Sequence, residues 1–329
     1  MIVFYSPHHI LHAPRKQFWG GKATPHPEVP ARAQGILEAL EDSYTISEPS
    51  PIPKEALSKV HSEGYLSHIE RTCRALPEGR EAFPFLFPRV DRAPPNRVAQ
   101  RGFYAFDTVT PLGKGTYPAS MAAASCAFGG ARRIMEHGDS AYCLSRPPGH
   151  HAGVAAMGGY CYLNNAAVAA AELAPEKVAI LDIDAHHGNG TQEIFYRDGR
   201  VLTCSIHGDP KTCYPYAWGF ADEEGAGPGK GLNINVPLPD SADGTKWIPA
   251  LDRLLRDIRA FDPEYLIVSL GVDGLKEDDG GAFKLKLEDF AKAGRLIADG
   301  QLPTAIIQEG GYHLDLMGRC VRTFLDGLG

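Results

Sequence analysis

Lys177-Val178-Ala179-Ile180-Leu181-Asp182-Ile183-Asp184-Ala185-His186-His187-Gly188-Asn189-Gly190 is the stretch whose reading decides the fold. The unbroken apolar run at 178–181 has the composition of a strand buried on both faces, since a strand with one wet face would alternate. Two acids and two histidines follow at once, then a glycine-rich turn that leads into helical periodicity. In an open parallel sheet the ligand crevice lies beyond the carboxyl ends of the strands. These polar residues fall at that end.

The same grammar repeats outward in both directions. Apolar runs rich in Val, Ile and Leu occur at 2–5, 141–145, 201–206, 265–270 and 304–308. Helical periodicity occupies 31–41, 62–74, 120–136, 164–173, 245–261, 287–299 and 315–325. Strands alternating with helices imply parallel pairing through right-handed crossovers. We read one α/β domain over residues 1–329, with helices on both faces of the sheet. Two irregular stretches interrupt it. In 75–118, Pro84, Pro88, Pro94, Pro95, Pro111 and Pro118 forbid long regular elements, and 208–231 carries Gly219, Gly225, Gly227, Gly229 and Gly231. Loops of that length in a compact domain serve as functional walls or oligomer contacts.

Bulk composition narrows the function classes. The 329 residues are 43% hydrophobic and 22% charged, which supports a sizeable core. A formal net charge of −7 and a pI near 6.0 argue against nucleic acid or an anionic membrane as partner. They suit a cationic small molecule or a lysine-bearing peptide. No eighteen-residue apolar run predicts a membrane span, and residues 1–5 read as a first strand rather than a signal peptide. The seven cysteines are odd in number, scattered, and form no C-x-x-C pair. That speaks against a disulfide framework or a cysteine metal site and for a reducing cytoplasm.

The chemistry-bearing residues cluster after strands. Asp184 and His186 are two apart, so in extended backbone both point to one side and make half a site for a divalent metal. The plainer alternative is that polar residues cap a strand and open a helix. Asp273, just past the run at 265–270, would complete an Asp-His-Asp set with room for water and substrate; taken alone it could equally cap a turn. Arg146-Pro147-Pro148-Gly149-His150-His151 forms a third cluster on a stiff turn. With the ligand set filled elsewhere, acid–base chemistry suits the two histidines, and Asp182 and Asn189 are the candidate acceptors that fix their tautomers. Gln308-Glu309-Gly310-Gly311-Tyr312 can swing a phenol into a site, where it would donate to a carbonyl oxygen becoming an oxyanion, or it can be a structural tyrosine in a turn.

Six stretches together resemble the histone deacetylase-like amidohydrolases of the arginase/deacetylase superfamily: RPPGHHA (146–152), GGYCYLNNAA (158–167), DIDAHHGNGTQ (182–192), CSIHGDP (204–210), SLGVD (269–273) and EGGY (309–312). The pattern is most similar to the bacterial acetylpolyamine amidohydrolases. The resemblance implies a central parallel sheet of about eight strands and zinc on Asp184, His186 and Asp273. It implies His151 as general base and acid on metal-activated water, His150 as its electrostatic partner, and Tyr312 as the carbonyl-polarising group. It further implies potassium at Asp182 and Ser205 with backbone oxygens of Asp184, His186 and Ile206, and a second such site near Phe195, Asp198 and Val201. Gly159, Tyr160 and Tyr214 would wall a substrate tunnel. Polyamine-type relatives carry a proline-rich insertion that builds a homodimer and narrows the entrance; residues 75–118 correspond to it.

The expected reaction is removal of an acetyl or short acyl group from a small acylated amine, most simply an acetylated polyamine. Protein lysine deacylation is the alternative. One departure concerns the amine. Polyamine-type relatives place an acid from the insertion at the tunnel mouth, whereas residues 95–101 carry no acid here and two arginines, Arg97 and Arg101. Glu81, Asp91 or Asp107 would be the substitute for it. A two-metal ureohydrolase lacks the further aspartates it would need, and an idle acyl-amine sensor is the non-enzymatic reading.

Overall fold

The computed structural model describes residues 1–329. Eight strands form one parallel sheet: β1 (Ile2–Phe4), β2 (Thr45–Ser47), β3 (Ala141–Cys143), β4 (Val178–Asp182), β5 (Val201–Gly208), β6 (Asn233–Leu238), β7 (Tyr265–Leu270) and β8 (Thr304–Gln308). Their spatial order is β6-β5-β4-β7-β8-β3-β1-β2, and every neighbouring pair runs parallel.

Burial on both faces explains the near-continuous apolar strands. Along β4, Val178 and Ile180 belong to one hydrophobic core while Ala179 and Leu181 belong to the other. The same alternation holds at Leu266, Ile267 and Val268 of β7 and at Ala305, Ile306 and Ile307 of β8. A pleated strand sends successive side chains to opposite faces, so two cores demand apolar residues at every position. One core is closed by helices α1 (Ala31–Leu40), α8 (Gly244–Phe261), α9 (Leu287–Ala298) and α10 (Leu314–Leu328), with Trp247 fully buried in it. The other is closed by α2 (Lys54–Ser58), α5 (Thr116–His137) and α6 (Asn165–Leu173). Helix α3 (Glu63–Ala75) and the short α4 (Arg97–Phe103) and α7 (Asn189–Phe195) complete the helices.

All six expected strands and all seven expected helices are present. The sequence reading missed β2 and β6, which are the two edges of the sheet. Edge strands have one unpaired side and less apolar pressure; β6 reads Asn-Ile-Asn-Val-Pro-Leu, and its proline is tolerated because an edge leaves N–H positions free. Residues 75–118 hold only the two-residue strands Glu81–Ala82 and Leu112–Gly113, the seven-residue α4 and the beginning of α5. Pro118 does not stop α5 because it lies in the first turn, where its missing N–H has no partner to lose. No helix is long and apolar enough to cross a membrane.

Candidate active site

The register of β4, β7 and β8 brings the carboxyl ends of three strands level. Asp182 pairs with Ser205 on one side and Ser269 on the other, so the loops that follow β4 and β7 leave the sheet side by side. Asp184, His186 and Asp273 converge there, and one ligand atom from each lies within 4.8 Å of the others. Both acids are fully buried. His186 Nδ1 faces Asp184 Oδ1 and Asp273 Oδ2, each at 3.1 Å.

Backbone donors hold the free side of each carboxylate. Asp184 Oδ2 accepts from Gly310 N at 2.8 Å, and Asp273 Oδ1 accepts from Ala185 N at 3.0 Å. A Cβ on Gly310 would come within 2.3 Å of Asp273 and 2.5 Å of Asp184. Only glycine lets that strand end approach so closely. Burial, and then repulsion from Asp184, lifts Asp273 to about 6. Burial would lift Asp184 too, but the charges of His150 and His186 hold it well below the carboxylate range. Two buried carboxylates and one imidazole aimed at one point make a donor set that a divalent cation satisfies.

The adjacent histidines have opposite environments. Burial opposes charge on His150, but Asp184 and Asp182 outweigh it and lift its pKa to about 10. Its Nδ1 donates to Asp182 Oδ2 at 2.9 Å. His151 Nδ1 contacts Asn189 Oδ1 at 2.7 Å, and because that oxygen can only accept, Nδ1 carries the proton and Nε2 is the free base. Burial first, and then the charges of His150 and His186, hold His151 well below the usual imidazole value. The two rings lie 4.0 Å apart.

A cavity of about 550 Å³ opens over these groups. His151, His186, Gly159, Tyr160, Tyr214 and Tyr312 all line it. Tyr214 meets His151 edge-on at 5.1 Å, and Tyr160 meets Tyr312 edge-on at 5.7 Å. Gly159 has φ +54, and a Cβ there would fall 2.1 Å from His151 Cδ2, so the chain can pass the imidazole only without a side chain. Burial keeps the Tyr312 phenol well above its usual pKa despite the Arg32 charge.

Of Glu81, Asp91 and Asp107, only Asp107 reaches the tunnel wall. Its Oδ2 accepts from Gly159 N at 2.6 Å and from the Tyr214 hydroxyl at 2.8 Å. Glu81 accepts from Arg15 N, and Asp91 is exposed. Arg97 and Arg101 are absent from the cavity lining and line a separate cleft with His68. Glu277 and Asp279, which sequence reasoning passed over, stand exposed on the cavity rim. Asp278 between them is buried and accepts from Tyr312 N at 2.6 Å and His313 N at 2.9 Å.

Four further buried ionisable groups hold the site's loops. Glu309 Oε2 accepts from Gly149 N at 2.6 Å and His150 N at 3.1 Å, tying the histidine turn to β8. Arg32 donates to the Gly311 and Glu309 carbonyls and lies 4.8 Å over the Tyr312 ring. Glu28 pairs with Arg32 at 3.0 Å and Arg146 at 2.6 Å. Arg146 and Glu309 lie in quoted motifs, whereas Glu28 and Arg32 carry no sequence signal. Asp182 and Ser205 line a small cavity of about 10 Å³, with Ser205 Oγ 2.8 Å from His207 Nδ1. At the other candidate cation position, Phe195 O accepts from Asp198 N at 2.9 Å.

The sequence profile described as "Histone deacetylase domain" matches residues 26–328. The chain belongs to the histone deacetylase family. Within that family it is 39% identical to the acetylpolyamine amidohydrolase of Burkholderia pseudomallei (strain 1710b), over 100% of this chain and 99% of that protein. It is 38% identical to the acetylpolyamine amidohydrolase of Mycoplana ramosa, over 100% of this chain and 99% of that one. A crystal structure of the B. pseudomallei acetylpolyamine aminohydrolase superposes with a TM-score of 0.96, covering 100% of this chain and 98% of that chain. The family and the eight-stranded parallel α/β fold expected from the sequence are borne out.

Proposed function

We propose that this family member hydrolyses the amide of an acetylated polyamine, releasing acetate and the free amine. The observation that carries the reading is the convergence of the Asp-His-Asp cradle, a neutral His151 and a protonated Tyr312 on the floor of one aromatic-walled cavity. Asp184, His186 and Asp273 would hold a zinc ion. When bound, a divalent ion supplies Lewis acidity to the amide carbonyl and lowers the pKa of water.

The chain's own groups do the rest. His151 Nε2 takes a proton from water as its oxygen attacks the carbonyl carbon. Asn189 holds the Nδ1 proton, so the ring stays in the tautomer that leaves Nε2 basic. Tyr312 donates its hydroxyl to the carbonyl oxygen as negative charge builds there. The proton on His151 then passes to the amine nitrogen as the C–N bond breaks. His150, carrying charge against Asp182, keeps His151 from retaining that proton. Tyr160 and Tyr214 pack a thin alkyl chain between them.

The amine end favours a polyamine over a protein lysine. Glu277 and Asp279 on the rim, with Asp107 behind the wall, give a distal ammonium a negative field. The stretch with Arg97 and Arg101 lines a different cleft. Ser205, Asp182 and their backbone neighbours would hold potassium in the small cavity beside β4. Phe85, Leu86, Phe87 and Val90 expose an apolar patch in the insertion; a second copy of the chain would cover it and form the dimer. The seven unpaired, buried cysteines suit the cytoplasm.

Turnover of acetylputrescine and of an acetyl-lysine peptide by zinc-loaded protein tests the reading. Higher kcat/KM on acetylputrescine is expected. Faster turnover of the peptide would hand the site to protein substrates.

A further inference from the structure

Arg97 and Arg101, the arginines that break the acidic pattern of the insertion, have a destination of their own. Helices α3 and α4 enclose a cleft of about 170 Å³ lined by His68, Arg71, Thr72, Arg97, Gln100 and Arg101. No carboxylate lines it. None of the three guanidinium groups forms an ion pair, although arginines elsewhere on the surface, such as Arg133, Arg200 and Arg256, pair with aspartates. Arg97 and Arg101 sit one turn apart on α4, a spacing at which like charges destabilise a helix. Arg71 keeps its Nε on the Ser67 carbonyl at 3.1 Å and also lines the cleft, its terminal amino groups without a protein partner.

The second observation is His68. The residue is only 2% exposed, and its Nε2 has no well-formed hydrogen bond, the Gln100 side chain being the polar group beside it. A buried polar atom left unpaired costs free energy. Three guanidiniums without ion-pair partners and one poorly paired imidazole nitrogen around one cleft share one remedy. We propose that this cleft is a binding site for a phosphate-class oxyanion. Arginine forks match the paired oxygens of such an anion, and the Nε2 of His68, in the tautomer that donates, supplies a further N–H.

The site is separate from the amide-hydrolysing cavity: the two share no lining residue. They are nevertheless neighbours in the fold. The His68 ring packs on Tyr104 at 4.9 Å, and Tyr104 begins the short segment that leads to Asp107 and the tunnel wall. The ligand class is a small phosphorylated molecule rather than a polyamine, which three arginines would repel.

Inorganic phosphate is the probe. Calorimetric titration of the intact protein, with potassium chloride at matched ionic strength as the reference, should show saturable binding and a phosphate-dependent rise in melting temperature. The Arg97→Ala/Arg101→Ala variant removes one exposed and one half-buried side chain and should weaken phosphate binding roughly 10- to 100-fold. Arg71→Gln should weaken it less. Arg89→Ala/Arg92→Ala, with the same loss of charge elsewhere in the insertion, should bind as the unaltered protein does. Turnover without phosphate should be unchanged in all of them. Equal affinity in the two double variants, or an equal response to chloride, would overturn the assignment. So would an absence of phosphate binding together with a change of sedimenting mass in Arg97→Ala/Arg101→Ala, which would give the cleft to an acidic segment of a second copy.

Discussion

The strand-end centre and the proline-rich stretch at 75–118 differ in how their polar groups are settled. At the centre, Asp184, Asp273, Asp182 and Glu309 are buried, and each is held by a hydrogen bond from another strand-end loop. In the other region Arg89, Arg92, Arg97 and Arg101 form no ion pair, and Phe85 is 81% exposed. The centre is pre-organised by the sheet, because three parallel strands end at one level and their loops share backbone donors. The insertion is organised by what it has yet to meet. That difference assigns chemistry to the sheet and selection to the loops.

The comparison can be broken most forcefully at the centre. Asp273→Ala removes a donor and the acceptor of Ala185 N. Its metal affinity should fall by more than the roughly 10- to 100-fold typical of an outer-shell partner, and deacetylation should vanish with it; metal titration read alongside turnover checks both. Tyr312→Phe leaves the cradle and the cavity intact. Its kcat should fall roughly 10²- to 10³-fold while KM moves little, as steady-state kinetics will show. A comparable loss in KM instead would make the phenol a binding group.

Effects in the loops should be smaller and should discriminate between substrates. Glu277→Gln with Asp279→Asn should lower kcat/KM for acetylputrescine by about 1.5- to 5-fold per charge, the range of exposed ion pairs. An acetylated amine without a second ammonium should be unaffected, and added salt should erase the difference. Equal losses on both substrates would remove the acidic rim from the account.

The mildest test lies beneath the site. His61 is buried with Nδ1 donating to Gly153 O at 2.8 Å and Nε2 accepting from Asn164 N at 2.9 Å. A proton on Nε2 would set donor against donor, and burial lowers its pKa to about 4. The unfolded chain therefore binds a proton near pH 6.5 that the folded chain refuses. The stabilisation is complete above pH 6.5 and is lost progressively as pH falls towards 4. His61→Gln, which cannot titrate, should show a smaller drop in melting temperature between pH 7.5 and pH 5. An unchanged drop would place the acid sensitivity elsewhere.

How legible each region was in the sequence follows the same division. The run at 178–181 and its acidic, histidine-rich sequel placed the sheet, the crevice and the cradle, because burial on two faces leaves little choice of residue. Edge strands Thr45–Ser47 and Asn233–Leu238 left weaker traces, since one of their sides is unpaired. Tyr312 was legible through its two glycines. Arg32, which fixes the carbonyls beside that tyrosine from 279 residues away, was not, because the groups it holds there are backbone oxygens that no side-chain pattern encodes. Glu277 and Asp279 were passed over for a similar reason: acids on a loop have no period, and only the folded rim shows that they face the cavity.

Stoichiometric zinc titration of metal-stripped protein, read by acetylputrescine turnover, tests the central claim most directly. Activity should rise linearly and stop at one equivalent per chain, with Asp273→Ala flat throughout. Activity that needs a second equivalent, or that persists without any divalent ion, would contradict a single Asp184–His186–Asp273 centre.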